Sequence, residues 1–260
     1  MEINENTTKP IYIDIYFNET HLGCATGFEV QNINCKYLIT NWHVVSGRNF
    51  IDKTCVSNTG AIPNHLKIRY RTCIDIDTDE LVCVEKDIRL YDDNDNKLWY
   101  EHPIFGSDVD VVALKIEENS PIMSYKECFN YESSYFLSVT EQVFVLGFPF
   151  GYILKQKENP YAVWTSGTVA TDPILNINVN GKEVPAFLID SKTRQGQSGS
   201  PVIYYSQMGW DAHYEDRFAN WGSPFMQEIG IYSGRINKDS DLGYVWKWSV
   251  IKEIIDNIKV

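Results

Sequence analysis

Three short segments of the sequence carry side chains whose types and order suit nucleophilic catalysis. The first is an apolar, strand-like run that ends in His43, and the second begins with Asp110 and continues as Val-Val-Ala-Leu. The third has Ser198 between two glycines, in the run Gly-Gln-Ser-Gly-Ser-Pro. Each segment alone has an ordinary explanation, because histidines at strand ends, carboxylates at strand starts and Gly/Ser turns are common structural features. Their occurrence together points to catalysis.

Serine, histidine and aspartate can together perform acyl transfer. A serine hydroxyl is a weak nucleophile at its own pKa, so a histidine must take its proton. A buried carboxylate must then fix the histidine tautomer and stabilise the imidazolium. The chain offers His43, Asp110 and Ser198 in that order. The glycines on both sides of Ser198 predict a tight turn whose backbone amides point at one spot, which is the arrangement that holds an oxyanion.

The three segments resemble the motifs of trypsin-like (chymotrypsin-fold) serine proteases, in the form found in bacterial glutamyl endopeptidases and high-temperature-requirement proteases. Thr-Asn-Trp-His43-Val-Val is similar to their histidine motif, and Asp110-Val-Val-Ala-Leu-Lys to their aspartate motif. Gly196-Gln-Ser-Gly-Ser-Pro-Val is similar to the G-N-S-G-S-P-V of the glutamyl branch. The order His, Asp, Ser is also that of this fold rather than of α/β-hydrolases or subtilisins. The resemblance runs in separated islands from about residue 23 to the end of the chain.

The resemblance implies a role for each of these residues. Ser198 would be the nucleophile, His43 the general base and acid, and Asp110 the carboxylate that orients the histidine. Asp108 is the alternative carboxylate, because residues two apart on a strand share a face, although the motif register favours Asp110. The backbone N–H groups of Gly196 and Ser198 would form the oxyanion hole. No cofactor is implied.

The resemblance also implies which residues meet the substrate. By spacing, Lys192 and Thr193 lie at the floor of the specificity pocket, and Tyr232 takes the position of a histidine on the opposing wall in glutamyl endopeptidases. Ser233 and Gly234 lie on the strand with which an extended substrate would pair through backbone hydrogen bonds. A cationic side chain facing the pocket would favour an acidic P1 residue, the one before the scissile bond. The alternative is that Lys192, Arg194 and Arg235 are solvated residues at the rim.

Two positions depart from the digestive and secreted members of the family. Gln197 replaces the aspartate that pairs with a freshly cut N-terminus, so activation by N-terminal trimming is not supported. Val44 replaces the cysteine next to the catalytic histidine of secreted animal enzymes, so that disulfide cannot form. Residues 1–20 do not read as a signal peptide. The six cysteines are therefore expected to be thiols, and the protein to be cytoplasmic.

The elements that must position these residues are predicted to be mostly β-strands. Short runs rich in Val, Ile, Tyr and Phe recur between clusters of Asn, Asp, Gly and Pro, which is typical of β-barrels. We expect an all-β, chymotrypsin-like fold of two antiparallel six-stranded barrels with the active site between them. Residues 1–120 would carry His43 and Asp110, and residues 121–248 would carry Ser198, with a linker at 117–134. Apolar residues on one face predict a C-terminal α-helix at 249–260, packed on the second barrel.

Composition and spacing exclude several other classes of protein. The chain has 23 basic and 35 acidic side chains and a net charge of −12, which argues against nucleic-acid binding. No apolar stretch is long enough to span a membrane. The cysteines show no CxxC spacing, so no metal site is predicted from them. The acidic run at 91–97 is predicted to be a hairpin turn, with a calcium loop as the alternative.

The sequence therefore predicts a serine endopeptidase that acts on polypeptides through a His43, Asp110 and Ser198 triad. The alternative is a protein of the same fold that is latent or catalytically silent. Such a protein would be activated by, or recruited to, a protein partner, for example in a bacterial stress or defence response.

Overall fold

The computed structural model describes residues 3–32, 35–73, 81–116, 125–126, 137–156, 159–208, 210–214, 217–222 and 224–258. These residues form mainly β-strands. The strands of the first half are β1 Pro10–Phe17, β2 Thr20–Asn32, β3 Cys35–Thr40, β4 His65–Cys73, β5 Leu81–Arg89, β6 Trp99–Glu101, β7 Val112–Ile116 and β8 Tyr125–Lys126. The strands of the second half are β9 Gln142–Gly147, β10 Leu154–Gln156, β11 Asn159–Tyr161, β12 Val163–Val169, β13 Ile177–Val179, β14 Lys182–Val184, β15 Ala186–Ser191, β16 Pro201–Ser206, β17 Trp210–Tyr214, β18 Arg217–Trp221, β19 Phe225–Arg235 and β20 Leu242–Lys247. The α-helices are α1 Trp42–Ser46 and α2 Trp248–Asp256, and single 3-10 turns form at Glu5–Thr7 and Pro149–Gly151.

The first half of the chain is a half-barrel sheet of eight strands rather than six. Its strands follow the order β5-β4-β1-β2-β3-β7-β6, and β8 pairs with β2. The long β4–β5 hairpin, with nine residues in each strand, carries the sheet past the predicted number. Strands β3 and β7 are neighbours, so the ends of the segments that carry His43 and Asp110 come together.

The second half contains the predicted closed barrel of six antiparallel strands, in the order β12-β15-β20-β19-β16-β9. Alternate residues of these strands point inward and form a buried apolar core, including Val143, Val145, Phe187, Ile189 and Val202. The hairpins β10–β11, β13–β14 and β17–β18 extend from the barrel as separate two-stranded ribbons. The turn that carries Ser198 connects β15 to β16, which follow each other in sequence but are separated in the barrel by β20 and β19.

The C-terminal helix α2 is confirmed, but it contacts both halves of the chain rather than the second barrel alone. Its apolar residues are buried with residues of the first sheet. Trp248 stacks on Phe28 of β2 with ring centroids 5.6 Å apart, and Glu253 lies 3.0 Å from His102. The buried side chains of α2 contact apolar residues of the first sheet and of the second barrel. The helix therefore helps to hold the two halves together. The predicted boundary at 120/121 and most of the linker lie outside the described residues.

The acidic run at 91–97 forms a turn held by its own side chains. Tyr91 and Lys97 make an isolated β-bridge, and the Asp92 carboxylate accepts the backbone N–H groups of Asn94 and Asn96 at 2.8 and 2.9 Å. Among the described residues no group of three or more His, Cys, Asp or Glu is arranged to hold a metal ion. No described helix is long and apolar enough to cross a membrane.

Candidate active site

His43 is positioned by a strand that runs into one turn of helix. Strand β3 ends at Thr40, and α1 begins at Trp42 and stops at Gly47, which adopts the left-handed conformation that ends helices. Val44 and Val45 are buried in the core, which anchors the turn. The Asn41 side chain donates to the Asp110 carbonyl at 2.7 Å and ties this turn to the start of β7.

The Asp110 carboxylate is fully buried and accepts hydrogen bonds at both oxygens. Oδ1 accepts the backbone N–H of His43 at 2.8 Å, and Oδ2 lies 2.7 Å from His43 Nδ1. The Ser233 hydroxyl also donates to Oδ2. Because an ionised carboxylate can only accept, His43 Nδ1 must carry the proton. The Nε2 lone pair is then free to accept one, which is the tautomer that a general base needs.

Asp108, the alternative carboxylate, does not contact His43. It lies 3.2 Å from Lys53, is hydrogen-bonded to Lys182, and is partly exposed. The hydrogen bond from Lys182 is the largest influence that lowers its pKa. The two aspartates separate because β7 begins only at Val112, so the alternation of strand faces does not apply to residues 108 and 110.

Ser198 lies in a turn that brings it next to Ser233. Its hydroxyl donates to the Ser233 carbonyl at 3.2 Å, and its own carbonyl accepts the Thr26 N–H at 2.8 Å. Among the described residues no hydrogen bond joins the Ser198 hydroxyl to His43. Such bonds often form only when substrate is in place.

The loop of residues 194–200, called here the oxyanion loop, needs glycine at two positions. Gly196 has φ +94° and Gly199 has φ +83°, conformations that L side chains rarely adopt. A Cβ at Gly196 would lie 2.3 Å from the Phe148 carbonyl oxygen. A Cβ at Gly199 would lie 2.0 Å from the Thr26 carbonyl oxygen. The backbone of the oxyanion loop therefore lies too close to Phe148 in the second half and to Thr26 in the first half for any residue other than glycine at these two positions.

The two predicted oxyanion-hole amides are oriented by the carbonyls on the other side of their peptide planes. The Gln195 carbonyl accepts a backbone hydrogen bond at 2.6 Å, and the Gln197 carbonyl accepts one at 3.1 Å. Because these peptides are trans, the N–H groups of Gly196 and Ser198 point away from those contacts. Within the described part of the chain, neither amide donates to an acceptor. Both are thus available to a developing oxyanion.

Thr26 is a site residue that the sequence motifs did not identify. Its side chain is fully buried, and its hydroxyl donates to the Gly196 carbonyl at 2.8 Å. With its backbone bond to Ser198, it holds the oxyanion loop from the first sheet. The only signal in the sequence is the small-residue run at 23–28, which resembles the family's strand but assigns no role to the hydroxyl.

The Gln197 side chain also stabilises the oxyanion loop, through hydrogen bonds to Arg194 of the loop and to Thr165. The side chain is fully buried; its Oε1 accepts the Arg194 N–H at 2.8 Å, and its Nε2 donates to Thr165 at 2.9 Å. A neutral amide here makes both contacts without a charged partner. The loop is therefore ordered without the aspartate that the digestive enzymes use.

Replacing Thr26 by valine tests the contribution of its hydroxyl. Valine keeps the shape but removes both the donor to the Gly196 carbonyl and the acceptor of the Phe148 N–H at 3.3 Å, so we expect kcat to fall about tenfold, the equivalent of ~1.4 kcal/mol. KM should change little, because Thr26 does not line the groove beside His43. Steady-state kinetics measure both constants. Thr26→Ser, which keeps the hydroxyl, is the control, and an equal loss in both variants would contradict the role of the hydrogen bond.

The predicted specificity residues divide into three groups. Thr193 and Tyr232 are buried and join their hydroxyl groups in a hydrogen bond. Ser233 and Gly234 line a groove of about 360 Å³ together with His43. Lys192 is exposed and lines a different cavity. The structure thus places Ser233 and Gly234 at the groove beside His43, buries Thr193 and Tyr232, and leaves Lys192 at a different cavity.

Tyr232 is tied to the end of the oxyanion loop: its carbonyl accepts the Gly199 N–H and its own N–H donates to the Ser200 carbonyl, both at 2.9 Å. Only 2% of its surface is exposed, and its ring packs so closely on Gly243 that a Cβ there would lie 2.5 Å from a ring carbon. Burial raises the pKa of Tyr232, opposed by the Thr193 hydrogen bond and the positive charges of Arg235 and Arg194. The phenol therefore stays neutral near pH 7, with two arginines close to its hydroxyl.

Comparison with known proteins agrees with this geometry. The family model for the trypsin-like peptidase domain matches residues 25–207. No curated protein matches the chain significantly. The active form of the Rv3671c protease from M. tuberculosis is similar in structure, with a TM-score of 0.50 and 14% identity over 98% of this chain and 83% of that one. The protease Anisep from Arthrobacter nicotinovorans has a TM-score of 0.51 and 14% identity, over 95% of this chain and 94% of that one. At such identities these two structures establish a shared fold.

Proposed function

The chain belongs to the family of trypsin-like peptidase domains and is a serine endopeptidase, and we propose that it cleaves polypeptides through Ser198, His43 and Asp110. Ser198 Oγ attacks the scissile carbonyl carbon and passes its proton to His43 Nε2. The amides of Gly196 and Ser198 hold the resulting oxyanion. His43 then gives the proton to the leaving amine, and water activated by His43 hydrolyses the ester on Ser198.

The observation that carries this proposal is the bridge from Asp110 to His43. The carboxylate holds both the backbone N–H and the Nδ1–H of the histidine, at 2.8 and 2.7 Å. A structural histidine could be satisfied by any acceptor, whereas this one has a buried carboxylate behind it and the exposed side of its ring toward the groove. Ser233 completes the support of the carboxylate.

The experiment that tests the function is hydrolysis of an internally quenched peptide library by the purified chain. We expect new peptide ends in mass spectra, and we expect cleavage to stop when Ser198 is modified by a fluorophosphonate. Cleavage that continues after complete modification of Ser198 would contradict the proposal.

For the P1 residue we propose a short acidic side chain, aspartate. In this proposal the buried Tyr232 ring, whose hydroxyl is hydrogen-bonded to that of Thr193, closes the bottom of the P1 pocket and disfavours long side chains. Arg235, which lines the groove beside His43, would favour a carboxylate at P1. The proposed acidic preference thus rests on Arg235 rather than on Lys192.

Replacing Tyr232 by alanine is expected to deepen this pocket. In the peptide library, turnover of Phe or Leu at P1 should rise at least tenfold relative to Asp, because a few buried methylene groups are worth ~1–3 kcal/mol in a pocket. Tyr232→Phe keeps the ring and removes the hydroxyl, so it should still reject long residues. An unchanged profile in Tyr232→Ala would show that Tyr232 does not form the pocket wall.

We also propose that the protein works in a reducing compartment, the cytoplasm of a bacterium. Cys24, Cys35, Cys55 and Cys83 are not joined in disulfides, and Val44 follows His43 at the position where the secreted animal enzymes have a cysteine. Alkylation of the protein in intact cells, followed by mass spectrometry, counts the reduced cysteines. A stable disulfide in the protein recovered from cells would contradict this placement.

A further inference from the structure

A second cavity of about 770 Å³ lies beside the oxyanion loop and is separate from the groove at His43. Its volume is within the range of ligand sites, ~300–1,000 Å³. Arg194 and the buried Gln197 line it from the loop, and Lys192 lines it from the segment just before the loop. Phe150 and Tyr152 line it from the neighbouring turn and are 72% and 60% exposed. The cavity thus combines exposed aromatic surface with two cationic side chains.

The positive charge of this cavity is not balanced from within. Lys192 and Arg194 make no ion pair with a carboxylate among the described residues, in a chain whose net charge is −12. The third cation of the lining, Arg69, is already neutralised by Asp14 at 3.2 Å and Glu85 at 2.9 Å. The charge left for a ligand is therefore that of Lys192 and Arg194.

Another cavity, of about 540 Å³, provides a contrast. It too is lined by cationic side chains, but two of them have partners: Arg89 lies 2.6 Å from Asp93, and Lys97 lies 2.7 Å from Glu101. Lys192 and Arg194 at the larger cavity have no such carboxylate partner among the described residues, although Arg194 Nη1 donates to the Thr193 carbonyl at 2.8 Å, so they attract an anion more strongly than ion-paired cations do.

The larger cavity is connected to the oxyanion loop by hydrogen bonds. Gln197 receives the Arg194 N–H at 2.8 Å and donates to Thr165 at 2.9 Å, and all three residues line the cavity. Phe150, in the left-handed conformation with φ +56°, donates its N–H to the Gln195 carbonyl at 2.6 Å. A ligand here would touch the groups that orient the Gly196 and Ser198 amides.

We propose that this cavity binds an acidic peptide segment and that the occupant alters the oxyanion loop. Carboxylates of the peptide pair with Lys192 and Arg194, and an apolar side chain between them packs on Phe150 and Tyr152. A peptide is the occupant of choice because it supplies carboxylates and an apolar group together. The effect on the loop rests on the proposed function, whereas binding itself does not.

The test uses a fluorescein-labelled peptide, Glu-Asp-Phe-Glu-Asp, and its neutral analogue Gln-Asn-Phe-Gln-Asn. Fluorescence anisotropy is measured with Ser198→Ala protein, so that the probe is not consumed. The acidic probe should bind at least tenfold more tightly than the neutral one, and the added pair Lys192→Ala and Arg194→Ala should weaken it at least tenfold. The pair Arg235→Ala and Lys238→Ala, which removes the same charge from the His43 groove, should change Kd less than twofold.

Equal binding of the two peptides, or binding that depends on the Arg235 and Lys238 pair instead, would contradict the proposal that the peptide binds at Lys192 and Arg194. Thermal unfolding of each variant verifies that it is folded. With Ser198 intact, saturating acidic probe should change the rate of fluorophosphonate labelling at Ser198 at least threefold, and this change should be lost with Lys192→Ala and Arg194→Ala but kept with Arg235→Ala and Lys238→Ala. An unchanged rate, with binding intact, would overturn the effect on the loop and leave the protease assignment untouched.

Discussion

Replacing Asp110 by asparagine is expected to lower kcat about 10⁴-fold, the size of effect typical of this position in serine triads. The carboxylate accepts at both oxygens, from the His43 backbone N–H and from Nδ1–H. An asparagine side chain must turn an NH₂ group toward one of these donors. If it faces the ring, the histidine proton moves to Nε2, where it blocks proton transfer from Ser198. KM should change little, because Asp110 is buried beneath the groove.

Asp108→Asn is the matched control for this prediction. It makes the same chemical change two residues away, at a carboxylate that pairs with Lys53 and Lys182 instead of His43. Its kcat should stay within about threefold of wild type, since pairs between partly exposed charges are worth only ~0–1 kcal/mol. Steady-state kinetics with one peptide substrate compare the two variants. A larger loss in Asp108→Asn than in Asp110→Asn would overturn the assignment of the carboxylate.

Replacing Gly199 by alanine is expected to remove most activity and to destabilise the fold by about 3 kcal/mol, from left-handed strain and overpacking together. The new methyl would lie 2.0 Å from the Thr26 carbonyl oxygen, so the loop or β2 must move. Either movement shifts the Ser198 amide. Loss of one oxyanion donor costs ~10²–10³ in kcat.

Gly181→Ala separates backbone strain from the steric contact. Gly181 has φ +81°, close to the +83° of Gly199, but no atom lies within 4 Å of its Cβ position. It should lose about 1 kcal/mol of stability through strain alone and keep its activity. Denaturant unfolding and peptide turnover measure the two effects. Similar losses in both variants would mean that the approach of Gly199 to Thr26 is not what the site requires.

Much of the site could be predicted because catalysis restricts residue type at each position. The motifs predict a nucleophile at Ser198, a base at His43 and an orienting carboxylate at Asp110, and the structure brings Asp110 and His43 into contact; the glycines around Ser198 follow from its turn. The closed second barrel and the C-terminal helix were also readable, because alternating strands and a one-sided apolar helix leave clear patterns. These features depend on local sequence.

The remaining features depend on contacts between distant segments. Thr26 and the oxyanion loop are more than 150 residues apart, and no local pattern shows that a strand hydroxyl will meet the Gly196 carbonyl. Spacing alone also assigned Lys192 to the specificity pocket, whereas its side chain lines the neighbouring cavity. The extent of the first sheet was underestimated because pairing of β4 with β5 adds strands that the motif positions do not report.

The most direct test of the catalytic assignment is covalent labelling by a fluorophosphonate, read by mass spectrometry of the intact protein and its peptides. Wild-type protein should gain one phosphonyl group per chain, on the peptide that contains Ser198, and Ser198→Ala should gain none. Ser200→Ala is the matched control, because the buried Ser200 hydroxyl has no hydrogen-bond partner among the described residues and its loss should be tolerated. Labelling that persists in Ser198→Ala, or a folded wild-type protein that is not labelled, would contradict the account.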